Sequence, residues 1–189
     1  PIERPLRRVG ERFADAGWEI ALVGGPVRDA LLGRLGSDTD LDFTTNAQPE
    51  QIVELLGGWA EAVWDVGIRF GTVGARIDGR EVEITTYRSE SYDAPSRKPE
   101  VAFGDNLADD LARRDFTMNA MAVTLPSMEF VDLFDGIADL AAKRIRTPGT
   151  AQSSFDDDPL RMMRAARFAS QLDAIVDTDV VDAMSAQAE

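Results

Sequence analysis

Apolar residues recur at helical spacing near the start of the chain, where Leu6, Val9, Phe13 and Ala16 share one side of a helix predicted over 6–16. Trp18 to Val23 is a short apolar run, hence a strand, broken by Gly24-Gly25. Pro26 suits the first turn of a helix running to Leu32. After a loop over 33–38, Asp40 to Thr44 alternates as a strand does. Pro49 to Leu56 predicts a second helix, ended by Gly57-Gly58. Strands are expected over 60–66, 71–77 and 81–87, the last two joined by Asp78-Gly79, a strong hairpin signal. The stretch 88–105 carries Pro95, Pro99 and many charges without a period, and reads as a mobile loop. Residues 106–123 suggest helix in two pieces, 129–134 a short strand and 136–143 a short helix. From Gly149 onward the pattern is helical throughout, most clearly over 159–172. The fold class is α/β (α+β): a small mixed sheet flanked by helices over 1–147, then an all-helical segment over 148–189.

Composition narrows the chemistry. The 189 residues contain no cysteine and no histidine. Disulfides, Ser-His or Cys-His nucleophiles and imidazole or thiolate metal sites are therefore excluded. Any metal must be held by oxygen, which favours Mg²⁺, Mn²⁺ or Ca²⁺. No apolar run reaches the length of a membrane span and no secretory signal opens the sequence, so a cytoplasmic protein is the default expectation. The missing initiator Met and the small polar residues at 185–189 suggest a fragment. The net charge of −14 sits awkwardly with a grip on a long polynucleotide, yet suits carboxylates gathered around a cation.

Asp40-Leu41-Asp42 is the strongest local feature. Alternation along a strand projects Asp40 and Asp42 to one face, where two carboxylates repel unless a cation lies between them. Mg²⁺ held by one or two carboxylates plus substrate phosphates is the usual arrangement for phosphoryl chemistry. A solvent-facing polar strand is the bland alternative. Upstream, the strand, glycine pair and helix start of Leu22 to Asp29 can receive phosphate at Gly24 and Gly25, with Arg28 in reach of a triphosphate oxygen. A tight turn before a surface helix is the competing account. Glu83 would support the acidic pair if its strand lies beside Asp40 to Thr44; a solvated strand face explains it equally.

Arg113 to Ala120 packs Arg114, Asp115, Thr117 and Asn119 into an apolar context, pointing either to ribose and phosphate contacts or to a structural ion-pair network. Asp158 can cap the helix that Pro159 begins. Arg161, Arg164 and Arg167 then recur every three residues, an anion-binding ladder or a plain basic face. Cytosine and adenine both present an amino donor beside a ring acceptor. An Asp acceptor beside an Arg donor, such as Asp158 with Arg161, complements both and rejects guanine and uracil.

Seven stretches occur in one order: LVGGPVRDALLG, DTDLDFTTNAQPE, GIRFGTV, VEITTYRSE, DLARRDFTMNAMAV, VDLFDGIADL and DDPLRMMRAARFASQL. Together they resemble the bacterial-type (class II) tRNA nucleotidyltransferase and poly(A) polymerase family, within the DNA polymerase β superfamily. The resemblance implies a nucleotidyltransferase head followed by the start of a helical neck. It implies metal binding (Mg²⁺, or Mn²⁺) by Asp40 and Asp42, which with Glu83 form the catalytic set. It implies nucleotide contacts from Gly24, Gly25, Arg28, Arg114, Asp115, Asn119, Asp158, Arg161, Arg164 and Arg167. Asp157 stands where the family usually has Glu. The implied reaction is transfer of CMP and AMP from CTP and ATP to a tRNA 3′ end, the 3′-hydroxyl attacking the α-phosphate in line and expelling pyrophosphate. GIRFGTV favours CCA addition over poly(A) polymerase or partial C- or A-adding activity. An inactive nucleotide-binding module is the reading from another class. Family members hold tRNA largely through parts that would follow Glu189, so 1–189 alone is expected to bind nucleotides and to hold tRNA weakly.

Overall fold

The computed structural model describes residues 2–36, 39–89, 102–104 and 106–187. The chain divides into two compact units, neither of them continuous: Pro1–Asp110 with Ala122–Val131, and Leu111–Met121 with Asp132–Glu189. The boundary expected near Thr147–Gly149 falls inside the second. Among the described residues no helix is long and apolar enough to cross a membrane.

The first unit opens with α1 (Glu3–Asp15), whose Leu6, Val9 and Phe13 are buried on one side, as their spacing requires. Then follow β1 (Ile20–Val23), α2 (Gly25–Leu31), β2 (Leu41–Thr45), α3 (Pro49–Leu56), β3 (Ala62–Gly67), β4 (Thr72–Ile77) and β5 (Arg80–Thr86). Two short strands, β6 (Arg88–Ser89) and β7 (Ala102–Phe103), pair antiparallel, and α4 (Leu107–Ala112) follows. The rest of the expected loop over 88–105 lies outside the described residues apart from Gly104. Strands β8 (Met121–Leu125) and β9 (Phe130–Asp132) complete a seven-stranded sheet of order β3-β4-β5-β2-β1-β8-β9. Strands β2 and β5 run parallel; β1 pairs antiparallel with both β2 and β8.

The β4–β5 hairpin turns where expected. Asp78 and Gly79 both adopt positive φ (51° and 74°), the geometry of a two-residue primed turn. Period-two alternation then divides the strands into faces. Leu41 and Phe43, Val73, Ala75 and Ile77, and Val82 and Ile84 are all buried and make the apolar face. Helix α3 packs on β4 and β5 with Ile52 and Leu56 buried, and α1 lies beside it, Arg12 donating to the Leu55 carbonyl at 2.8 Å. The opposite face carries Asp42 and Thr44, Glu81, Glu83 and Thr85.

One expectation is corrected here. Residues 121–123 are strand, not the end of a helix. Met and Ala favour helix locally, but Ala122 to Leu125 pair along β1 and supply an interior strand of the sheet, so tertiary pairing overrides propensity.

The second unit contains a 3₁₀ turn (Thr117–Asn119), α5 (Gly136–Ala141), β10 (Arg144–Ile145), α6 (Ala151–Asp157), α7 (Leu160–Leu172), β11 (Ile175–Val176) and α8 (Thr178–Gln187). The stretch after Gly149 is helical except at β11, which pairs parallel with β10. Phe116, Phe155, Ala165, Phe168 and Val180 form its core, with Phe116 and Phe168 edge to face at 5.9 Å. Asp139 is fully buried and accepts from Thr117 Oγ1 (2.7 Å), Arg144 Nε (2.9 Å) and Arg146 Nε (2.9 Å), tying the 3₁₀ turn to β10.

Candidate active site

The candidate residues fall into two groups, one in each unit. In the first, Asp40 immediately precedes β2 and is exposed, while Asp42 is its second residue and is half-buried. The strand thus begins one residue later than the alternation predicts. Strand β5 does lie beside β2, and Asp42 is the direct cross-strand partner of Glu83. Directly paired residues on neighbouring strands project to the same face, so Asp42 and Glu83 stand side by side on the polar face. On that face the cross-strand row continues from Glu83 to Gly74 of β4 and on to Trp64 of β3.

Antiparallel pairing of Leu22 with Phe43 brings the end of β1 beside the start of β2. The glycine pair therefore lies at the same end of the sheet as Asp40 and Asp42. Gly24 takes φ 72° and ψ −133°, a conformation that side chains other than glycine resist, and leads into α2 with Pro26 in its first turn. The Arg28 guanidinium folds back over this turn, Nη2 lying 3.8 Å from where a Cβ on Gly25 would stand. It is mostly buried and bonds to Asp29 Oδ1 from Nε and Nη2, each at 2.9 Å.

The chain holds neither His nor Cys, so every donor at this end of the sheet is an oxygen, which fits a hard divalent cation. Among the described residues no group of three or more acidic side chains closes into a ready-made metal cage. Two carboxylates joined by phosphate oxygens of an arriving nucleotide satisfy such an ion without one.

In the second unit, Asp115 is buried and fully engaged by protein donors. Its Oδ1 accepts from the Phe116 amide (2.8 Å) and Asn119 Nδ2 (3.0 Å), and its Oδ2 from Arg164 Nε (2.8 Å) and Nη2 (2.7 Å). Asp115 and Asn119 thus hold Arg164 in one direction, with 46% of its side chain exposed. Arg114 is half-buried in the turn between α4 and Asp115. Arg167 is exposed and lies over the Phe168 ring, 5.0 Å from its centroid.

Helix α7 begins at Leu160, and Asp157 closes α6 rather than entering the same helix. Asp158 fills the gap between them, its Oδ1 accepting from the Leu160 amide at 3.0 Å. Arg161 is anchored at both terminal nitrogens, Nη1 to Ser154 Oγ (2.8 Å) and Nη2 to the Arg113 carbonyl (2.7 Å). The Arg161 amide donates to the Asp158 carbonyl at 3.0 Å, and no described bond joins their side chains. Both stand at the mouth of the α6–α7 turn, each with hydrogen-bonding capacity beyond these contacts. Sequence reasoning missed Ser154 and the Arg113 carbonyl, because the Arg113 partner is 48 residues away and a backbone acceptor leaves no residue-type signature.

Comparison with known proteins places these features in a family. The model for the poly A polymerase head domain matches residues 20–146. The CCA-adding enzyme of Levilactobacillus brevis is 44% identical over 184 residues, covering 97% of this chain and 45% of the relative. That of Lactobacillus helveticus is 49% identical over 163 residues, covering 86% and 39%. Among solved structures, the Bacillus stearothermophilus CCA-adding enzyme in complex with CTP superposes with a TM-score of 0.86 at 34% identity, over 100% of this chain and 44% of that one. The Thermotoga maritima CCA-adding enzyme complexed with tRNA gives 0.76 at 27% identity, over 96% and 40%. The chain spans less than half the length of these relatives. With two thirds of its residues inside the matched region, the chain belongs to the poly A polymerase head domain family.

Proposed function

We propose that this chain is the catalytic part of a template-independent, metal-dependent nucleotidyltransferase that adds CMP and AMP from CTP and ATP to a tRNA 3′ end. The observation that carries the reading is the direct pairing of Asp42 with Glu83 on the polar face of the sheet, with Asp40 at the same strand's entrance. The names of the relatives support it: CCA-adding enzymes with CTP, with tRNA, and a tRNA nucleotidyltransferase with a primer tRNA and an incoming ATP analog.

Asp40 and Asp42 would hold the divalent ion, Mg²⁺ or Mn²⁺, with Glu83 beside them. When bound, that ion supplies charge neutralisation for the triphosphate and for the attacking 3′-hydroxyl. Gly24 and Gly25 let phosphate approach the backbone closely, and Arg28 adds positive charge there. In the second unit, Asp115 and Asn119 act by orienting Arg164, which with Arg114 and Arg167 offers cationic contacts to ribose and phosphate. Asp158 with Arg161 reads the donor–acceptor edge that cytosine and adenine share, with Ser154 fixing Arg161 in place. The net charge of −14 leaves this chain poorly suited to grip a polynucleotide backbone, so tRNA binding by residues 1–189 is weak.

The deciding experiment measures incorporation from CTP and ATP into a tRNA primer with Mg²⁺ present. Asp40→Ala and Asp42→Ala should abolish it while circular dichroism stays unchanged, and full activity in either would sink the reading. The family description itself favours a second reading, polyadenylation. Offering CTP alone, ATP alone and then both separates the two: a poly(A) polymerase extends with ATP alone into long tracts.

A further inference from the structure

Trp64 lies on the acidic face without belonging to the carboxylate chemistry. It sits on the edge strand β3, half-buried, in the cross-strand row that continues through Gly74 and Glu83 to Asp42. Its indole folds over β4 toward that row. A Cβ on Gly74 would stand 2.3 Å from Trp64 Nε1 and 2.5 Å from Cε2, so only glycine leaves room for the ring there. Val66, next on the same face, closes in from the side at 2.7 Å from the same point. The result is an aromatic surface over β4, two strand spacings or about 10 Å from Asp42.

The sheet order assigns that side of the site. The glycine turn after β1 flanks Asp42 on one side, and Glu83, Gly74 and Trp64 follow on the other. In-line displacement places the entering nucleophile opposite the leaving group. If the triphosphate rests at Gly24 to Arg28, pyrophosphate departs toward β1 and the attacking hydroxyl must arrive from the β5 side.

We propose that Trp64 is a stacking platform for the 3′-terminal base of the RNA primer, positioning its 3′-hydroxyl on the Glu83 side of Asp42. The ring accepts any base, since every base has a π face, as a primer end that changes with each addition requires. This proposal rests on the transfer reaction above for its direction of attack. Trp64 is a positioning residue, and its effect is read in binding, without turnover.

The test compares two short RNA hairpins at low salt, one ending in a 3′-cytidine and one in an abasic 3′-ribose, by fluorescence anisotropy. The chain should prefer the hairpin with the terminal base by about 5- to 100-fold. Trp64→Leu retains an apolar cover over β4 but no ring, and should abolish the preference while leaving CTP binding unchanged. Gly74→Val should do the same with Trp64 still present, by displacing the indole, and Trp64→Phe should retain part of it. An undiminished preference in Trp64→Leu, no preference in the unaltered chain, or equal loss of both hairpins and of CTP would each overturn the proposal. Failure of Asp40→Ala to abolish incorporation would instead overturn the transfer reading, and leaves the hairpin comparison standing as measured.

Discussion

Replacing Asp115 tests whether the second unit's polar network is built as described. The carboxylate is 7% exposed and receives three groups: the Phe116 amide, Asn119 Nδ2 and the Arg164 fork. Asp115→Ala removes the acceptor that the first two use in a buried setting, and losing a buried partner costs about 1–3 kcal/mol each. Arg164 is nearly half exposed and recovers water, so its ion pair adds only about 0.5–1 kcal/mol. The expected loss is about 3 kcal/mol, which at a slope near 2 kcal/mol/M lowers the urea midpoint by about 1.5 M. Asp115→Asn retains an acceptor oxygen for Phe116 and Asn119 but turns its NH2 toward Arg164, losing both of that arginine's hydrogen bonds and the charge. Arg164 is nearly half exposed and turns to water, so the cost is about 1 kcal/mol. Urea titration of both variants by circular dichroism, with the slope unchanged, makes the comparison. If Asp115→Asn is as damaging as Asp115→Ala, the Arg164 pair carries the network and the two buried donors do not. A loss below about 1 kcal/mol for Asp115→Ala refutes the network altogether.

Asp139→Ala should cost about 2–4 kcal/mol in the same assay, because the Thr117 hydroxyl stays buried without its acceptor while the two arginines reach solvent. Gly10→Val should destabilise by about 1–3 kcal/mol, since a Cβ there would lie 2.7 Å from Leu125 Cβ and 2.9 Å from Pro126 Cα, and backbone cannot step aside. Burial, then the neighbouring Glu19 carboxylate, raises the Tyr87 phenol above its ordinary value near 10. Its contribution is therefore complete below pH 10 and lost as the pH rises beyond it, because the unfolded chain ionises first. Between pH 9 and pH 11 the urea midpoint should fall less in Tyr87→Phe than in the unaltered chain, and parallel falls would contradict this.

Sequence suffices where the determinants are local. Asp78-Gly79 forces one turn geometry, and the apolar alternation on either side of it identifies β4 and β5 without further help. Asp40-Leu41-Asp42 likewise announces its strand. Glu83 shows the limit. Its chemistry is visible in the sequence, but its place opposite Asp42 depends on a parallel pairing across some 40 residues, which no periodicity encodes. Met121 to Val123 favours helix by residue type, and only pairing with β1 makes it a strand. The α6–α7 break was also hidden. Asp158 and Pro159 look like the start of a helix, which they are, but nothing local shows that another helix ends one residue earlier. Arg161 is the most instructive case: its spacing suggested a group poised for ligand, and Ser154 and the Arg113 carbonyl give it a structural duty as well.

The alternation along β2 and β5 separates two kinds of selection acting on neighbouring codons. Leu41, Phe43, Val82 and Ile84 answer to packing, and cutting one of them back to alanine costs about 2–5 kcal/mol of stability. Asp42 and Glu83, one position away on the other face, are half-buried and exposed in turn, and their duty is not apolar packing. Substitutions confined to the polar face therefore leave the apolar packing of this sheet in place, and what that face carries can change while the scaffold persists.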